Sequence, residues 1–200
     1  MARFFSINIL VILFLSFFFT EGVMDKKIAL VIASKGFQPL EYEDTKKVLE
    51  AAGVQVDTIS EKTGKSEDAF GQDGPIISLT VNQVNPRDYD GIFLIGGSGA
   101  LDCLDNENVY KLMRVAKEAG IFYGAICVSP RILCKAGLIN DKKITGWDGD
   151  SKLQEECPDV AIMKVGTTNA DTVTDGKLIT GRDPLAAKAF GEAIVKALKS

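Results

Sequence analysis

Cys127 has the most chemically loaded surroundings in the chain. It follows Ile121-Phe-Tyr-Gly-Ala-Ile126, an apolar run of strand length, and precedes Val128-Ser-Pro-Arg-Ile-Leu133. Ser129 reads as a helix N-cap and Pro130 as the first helical residue. The cysteine then stands at a sharp strand-to-helix turn, the geometry of a nucleophile elbow. The adjacent helix N-terminus, with free N–H groups and aligned dipoles, favours the thiolate and so a reactive thiol. The plain alternative is a buried small hydrophobe. A second segment, Gly96-Gly97-Ser98-Gly99, also follows a strand, and its backbone amides, with that of Val128, can form an oxyanion hole or belong to a tight turn. A third, Gly36 to Glu43, carries Glu41 between the first strand and its helix. A carboxyl there can exchange protons with the thiol or with a substrate, or simply offset a helix dipole.

Histidine is absent from the 200 residues. That removes Ser-His-Asp and Cys-His catalysis and His-ligated metals together. The cysteines, Cys103, Cys127, Cys134 and Cys157, are spaced by 24, 7 and 23 residues, with no C-x-x-C pair for zinc or a cluster. No G-x-G-x-x-G fingerprint supports a dinucleotide. The reading is a chain without metal or cofactor. Lys+Arg number 23 against 27 Asp+Glu, a net charge of −4 that gives no basis for nucleic-acid binding. Glycine, proline and apolar content are those of an ordinary globular domain.

These residues need elements to hold them. Ile28 to Ala33, Val54 to Ile59, Ile92 to Ile95 and Ile121 to Ile126 read as strands, mostly continuous apolar runs buried on both faces. Thr45, Val48, Leu49 and Ala52 fall at helical spacing before Gly53, as do Val109, Leu112, Met113 and Ala116 before Gly120. Residues 60–75 read as a loop or short hairpin, and Thr172 to Thr180 as a hairpin around Asp175-Gly176. The last helix starts from Asp183 as N-cap and Pro184, with an apolar face through Phe190, Ile194 and Leu198. Strands alternating with helices predict α/β architecture with a mostly parallel sheet covered on both faces, in one domain over residues 24–200.

Residues 1–23 are a different material. Thirteen of the 16 residues from Phe4 to Phe19 are apolar, after Arg3. The layout is that of a signal or anchor segment, about 24 Å long as a helix and short of a bilayer core of about 30 Å. Thr20-Glu21-Gly22 offers no small-x-small cleavage pattern, and Met24 before the first strand is a natural alternative start. The chain is exported or membrane-anchored through residues 4–19 in the first reading and cytoplasmic in the second.

Three stretches together resemble the DJ-1/PfpI superfamily: Lys27 to Gly36 with Glu41, Asp88 to Gly97, and Gly124-Ala-Ile-Cys-Val-Ser-Pro130. The resemblance covers residues 26–199. It implies a flavodoxin-like three-layer sandwich and a homodimer, with Cys127 as the elbow cysteine and Glu41 as its hydrogen-bonding acidic partner. Gly97 and Val128 take the positions whose amides face the sulfur, beside Gly96. The departures are specific. Val128 stands where the PfpI branch has histidine after the cysteine, and Trp147 where the DJ-1 branch has its downstream histidine. Proteolysis and glutamine amidotransfer are therefore disfavoured.

A Cys-Glu dyad remains, and two functions compete. One is a cofactor-free glyoxalase III- or deglycase-like enzyme on small reactive carbonyls; related branches hydrate isocyanides with a similar pair. The other is a non-enzymatic redox sensor whose cysteine is oxidised to sulfinate. Trp147 narrows the pocket or stacks on substrate. Arg131 reads either as a cation at the pocket mouth or as a solvated helix arginine, and Arg182 as a further candidate lining residue. Cys127 is expected to stay free, and Cys134 to be packed rather than paired.

Overall fold

A computed structural model describes residues 25–163 and 171–200. The signal- or anchor-like segment, residues 1–23, lies outside them. The chain opens with β1 (Lys27–Val31), β2 (Lys35–Phe37), α1 (Pro39–Ala51), β3 (Gln55–Ser60), β4 (Gly64–Asp68), β5 (Asp73–Ile77) and β6 (Leu79–Thr80). It continues with β7 (Gly91–Leu94), α2 (Ala100–Leu104), α3 (Glu107–Glu118), β8 (Phe122–Ile126) and α4 (Pro130–Lys135). The last part holds β9 (Lys143–Ile144), α5 (Lys152–Glu156), β10 (Ala161–Ile162), β11 (Thr172–Asp175), β12 (Leu178–Gly181) and α6 (Ala187–Leu198).

Seven strands form the central sheet in the order β11-β12-β8-β7-β1-β3-β6. All its pairs are parallel except β11–β12, the hairpin at one edge. The apolar runs seen in the sequence occupy its centre. Ile28 to Val31 and Ile92 to Leu94 are fully buried because helices cover both faces. α1 and α6 pack together on one face, where Phe190 meets Phe93 edge-on at 5.6 Å. α3 and α4 pack together on the other, against β7 and β8. This is the α/β three-layer, flavodoxin-like architecture. Residues 60–75 are more ordered than a loop: β4 and β5 form a hairpin that β2 extends to a three-stranded sheet. Asp183 caps as expected, Oδ1 accepting from the amides of Leu185 and Ala186, but the first turn at Pro184–Ala186 is 3₁₀ rather than α.

The cysteines differ from expectation at one place. Cys134 is not merely packed; it is disulfide-bonded to Cys157, with Cα atoms 5.9 Å apart. Spacing of 23 residues could not show this, because α5 is brought onto α4 only by the fold. Cys103 and Cys127 are free. Thiol titration of the denatured, unreduced protein is therefore expected to find two of the four cysteines, and all four after reduction. Four thiols before reduction would contradict the pairing.

Candidate active site

The parallel strands β1, β7 and β8 end on one side of the sheet, and the three singled-out segments meet there. Cys127 follows β8 directly with φ 63°, a left-handed conformation that a non-glycine residue adopts at a cost of about 1–3 kcal/mol. The elbow is fastened on several sides. The Cys127 amide donates to Gly181 O at 3.0 Å, and its carbonyl accepts from the Trp147 amide at 2.7 Å. Ser129 occupies the N-cap position but does not cap; its hydroxyl donates to Ile95 O at 2.9 Å, tying the elbow to the end of β7. The buried Ile95 carbonyl takes that hydroxyl in preference to the helix amides.

Glu41 lies in the first turn of α1 and is fully buried. A dipole-compensating acid would face water, so burial gives this one another role. Its Oε2 accepts from the Gly96 amide at 2.8 Å, while Gln38 N donates to Gly96 O at 2.9 Å. Its other oxygen, Oε1, is buried and has no hydrogen-bond partner among the described residues. Gly96 is the spacer between the two. A Cβ there would lie 2.7 Å from both Cys127 Cβ and Glu41 Oε2, so a side chain would wedge the pair apart.

Burial pushes the Glu41 carboxyl up to about 7, and the charge of Asp183 adds to this; contact with Cys127 and the Gly96 amide act against it. The Cys127 thiol is pushed upward, first by burial and then by the charge of Glu41 and its hydrogen bond. The amides of Val128 and Gly97 stabilise the thiolate but are outweighed. The expected helix-terminus activation therefore does not dominate: α4 is only six residues long, and the sulfur sits beside a buried carboxyl. Cysteine and glutamate are coupled: near neutrality the carboxyl is the member that titrates, while the thiol keeps its proton.

Cys127 opens on a cavity of about 430 Å³, with Glu41 fully buried behind it. Gly97, Val128, Arg131 and Trp147 line it with Cys127. Gln38, Ser98, Leu101, Asp150 and Pro184 complete the wall. Gln38, Ser98 and Pro184 sit inside segments that sequence inspection singled out, whereas Leu101 and Asp150 carry no local signal. Arg131 is at the cavity but is not the solvated helix arginine. Its side chain is 7% exposed, Nη1 meets Asp150 Oδ2 at 3.0 Å, and Nε meets Glu156 Oε2 at 3.0 Å, with Nη2 on Glu156 Oε1. Arg182 is placed elsewhere. It lines a neighbouring cleft with Thr145, Asp148 and Ser151, where Asp171 and Asp183 hold its guanidinium.

An α/β sandwich carrying a strained cysteine elbow against a buried glutamate defines the class. The family model for the DJ-1/PfpI family matches residues 26–197, and the chain belongs to that family. It is 32% identical to an uncharacterised protein of Methanocaldococcus jannaschii, over 90% of this chain and 85% of that protein. It is 29% identical to protein dj-1beta of Drosophila melanogaster, over 86% of this chain and 89% of that one. Similarity at 29% to a deglycase of Pyrococcus horikoshii spans 62% of this chain and 70% of the deglycase. Among solved structures, a ThiJ/PfpI domain protein from Brachyspira murdochii superposes with a TM-score of 0.79 at 22% identity, covering 86% of this chain and 96% of that one. Drosophila DJ-1beta gives 0.76 at 24%, covering 88% and 91%. These two likenesses concern the fold.

Proposed function

We propose that the protein is a cofactor-free, glyoxalase III-like enzyme that converts small α-oxoaldehydes to 2-hydroxy acids through Cys127 and Glu41. The observation that carries this is a fully buried carboxyl, one oxygen held by the Gly96 amide and the other without a hydrogen-bond partner, packed beside a cysteine that opens on a cavity. A carboxyl that burial raises to about 7 suits a general acid-base at neutral pH. Similarity to a deglycase is consistent with carbonyl chemistry.

Take methylglyoxal. Cys127 Sγ bonds to the aldehyde carbon, and the thiol proton passes through Glu41 to the carbonyl oxygen, giving a hemithioacetal. The amides of Gly97 and Val128 hold the developing oxyanion. Glu41, again a carboxylate, takes the proton from that carbon and delivers it to the ketone oxygen, giving an enediol; it then takes the hydroxyl proton from the sulfur-bearing carbon and delivers it to the neighbouring carbon. The aldehyde carbon is thereby oxidised to a thioester and the ketone carbon reduced to an alcohol. Water then cleaves the C–S bond, releasing lactate and the thiol. One water is consumed and no external oxidant is needed, so the absence of histidine leaves one residue, Glu41, to move every proton.

Lactate formation from methylglyoxal tests this. The wild type is expected to show saturable turnover, and Cys127→Ser and Glu41→Gln each to lose at least about 100-fold. No turnover in the wild type would reject the enzyme reading. The same geometry then favours the sensor reading, since the two amides facing Sγ and a protonated Glu41 suit a sulfinate. Peroxide would then add two oxygens at Cys127 in intact mass spectra.

A further inference from the structure

Arg131 is the one cation lining the Cys127 cavity among the described residues, and its fork is already committed. Asp150 takes Nη1 and Glu156 takes Nε and Nη2, so one positive charge faces two negative ones. Asp150 itself lines the cavity. A substrate carboxylate entering here finds no free guanidinium to pair with and meets the Asp150 carboxylate on the wall. Most of the remaining surface is apolar: Leu101, Val128, Pro184 and Trp147.

Trp147 is the largest of these and its placement is determined. Its backbone amide is bonded to the carbonyl of Cys127, which keeps the residue at the elbow. Its indole lies on Gly149, where a Cβ would come within 2.6 Å of Cζ2 and 2.8 Å of Cε2. The residue is 40% exposed, an unusual state for a tryptophan braced from behind, and it leaves ring surface at the cavity. An aromatic face of this kind rewards a second ring by about 0.5–1.5 kcal/mol beyond area burial.

Resting on the α-oxoaldehyde reading above, we infer that this cavity selects neutral α-oxoaldehydes with an aromatic substituent, Trp147 being the surface on which the substituent stacks. Anionic α-oxoaldehydes are excluded by the Arg131–Asp150–Glu156 arrangement. The chemistry at the aldehyde carbon is unchanged; the selection lies in what the substituent touches.

Initial rates with phenylglyoxal, methylglyoxal and 4-carboxyphenylglyoxal, an α-oxoaldehyde that carries its anion on the ring, test this on the full chain. Wild-type kcat/KM is expected to be about tenfold higher for phenylglyoxal than for methylglyoxal, and at least about 100-fold lower for 4-carboxyphenylglyoxal than for phenylglyoxal. Trp147→Ala is expected to bring the phenyl-to-methyl ratio towards one, mainly through KM. Trp147→Phe keeps an aromatic wall and is expected to retain most of the ratio. A readout independent of turnover is the alkylation of Cys127, followed by peptide mapping and normalised to glutathione. N-benzyl iodoacetamide is expected to react faster than iodoacetamide, and iodoacetamide faster than iodoacetate. Turnover of methylglyoxal with no phenyl preference, or a preference that survives Trp147→Ala, overturns the selectivity and leaves the enzyme reading intact. No turnover of any of the three overturns both.

Discussion

Glu41→Gln is expected to separate the two properties of Cys127 by moving them in opposite directions. Turnover should fall at least about 100-fold, because glutamine moves no protons. Alkylation of Cys127 by iodoacetamide at pH 7 should instead rise, by about tenfold. The carboxylate charge and its hydrogen bond are, after burial, the forces that hold the thiol proton on, and glutamine removes the charge. The amides of Gly97 and Val128 then act on the thiolate unopposed by it. A parallel loss of both activity and alkylation would mean that Glu41 activates the thiol rather than restraining it.

The same variant reports on stability. The native Glu41 carboxyl loses its proton near pH 7, whereas an unfolded one loses it near 4.5. The native state therefore binds the extra proton between those values. Unfolding free energy should fall as pH rises through this window, by up to about 3 kcal/mol, and be fully reduced above it. Denaturation at pH 5 and pH 8 measures the slope, and Glu41→Gln should remove this contribution.

Gly97→Ala has the second large effect, through the backbone. Gly97 has φ +120°, a region closed to alanine without strain. A Cβ would lie 2.7 Å from Phe37 C and closer still to Gln38 N and Gly36 O, all backbone atoms with little room to move. Strain and overpacking together predict a loss of about 3 kcal/mol or more in urea denaturation. Gly120→Ala is the matched control. Its φ is +71°, but nothing lies within 4 Å of the added carbon, so about 1 kcal/mol is expected. Equal losses at the two sites would show that crowding against the β2–α1 connection does not operate at Gly97.

Much of the architecture is legible in the order and pattern of the residues. Continuous apolar runs such as Ile28 to Ala33 announce strands buried on both faces, and Asp183-Pro184 announces a helix start, because periodicity and capping are local properties of the chain. The elbow at Cys127 was legible for the same reason: an apolar strand running into Ser-Pro leaves a single sharp turn for the cysteine. Glu41 was legible as a candidate from its place between a strand and a helix, and from its resemblance to a family pattern.

What the chain conceals is decided between distant segments. The order of elements, the cysteine at the turn and the absence of any histidine to serve it are written in the chain. Only the tertiary structure decided that Arg131 is spent on Asp150 and Glu156, that Cys134 reaches Cys157, and that Arg182 faces a different cleft. It also reversed the expected direction of the thiol, which burial and Glu41 push up. Backbone conformation follows from neighbours in sequence, whereas the charge state of a side chain follows from the solvent excluded around it and the charges brought beside it. At Cys127 those come from α1 and the loop after β7, 86 and 30 residues away at Glu41 and Gly97.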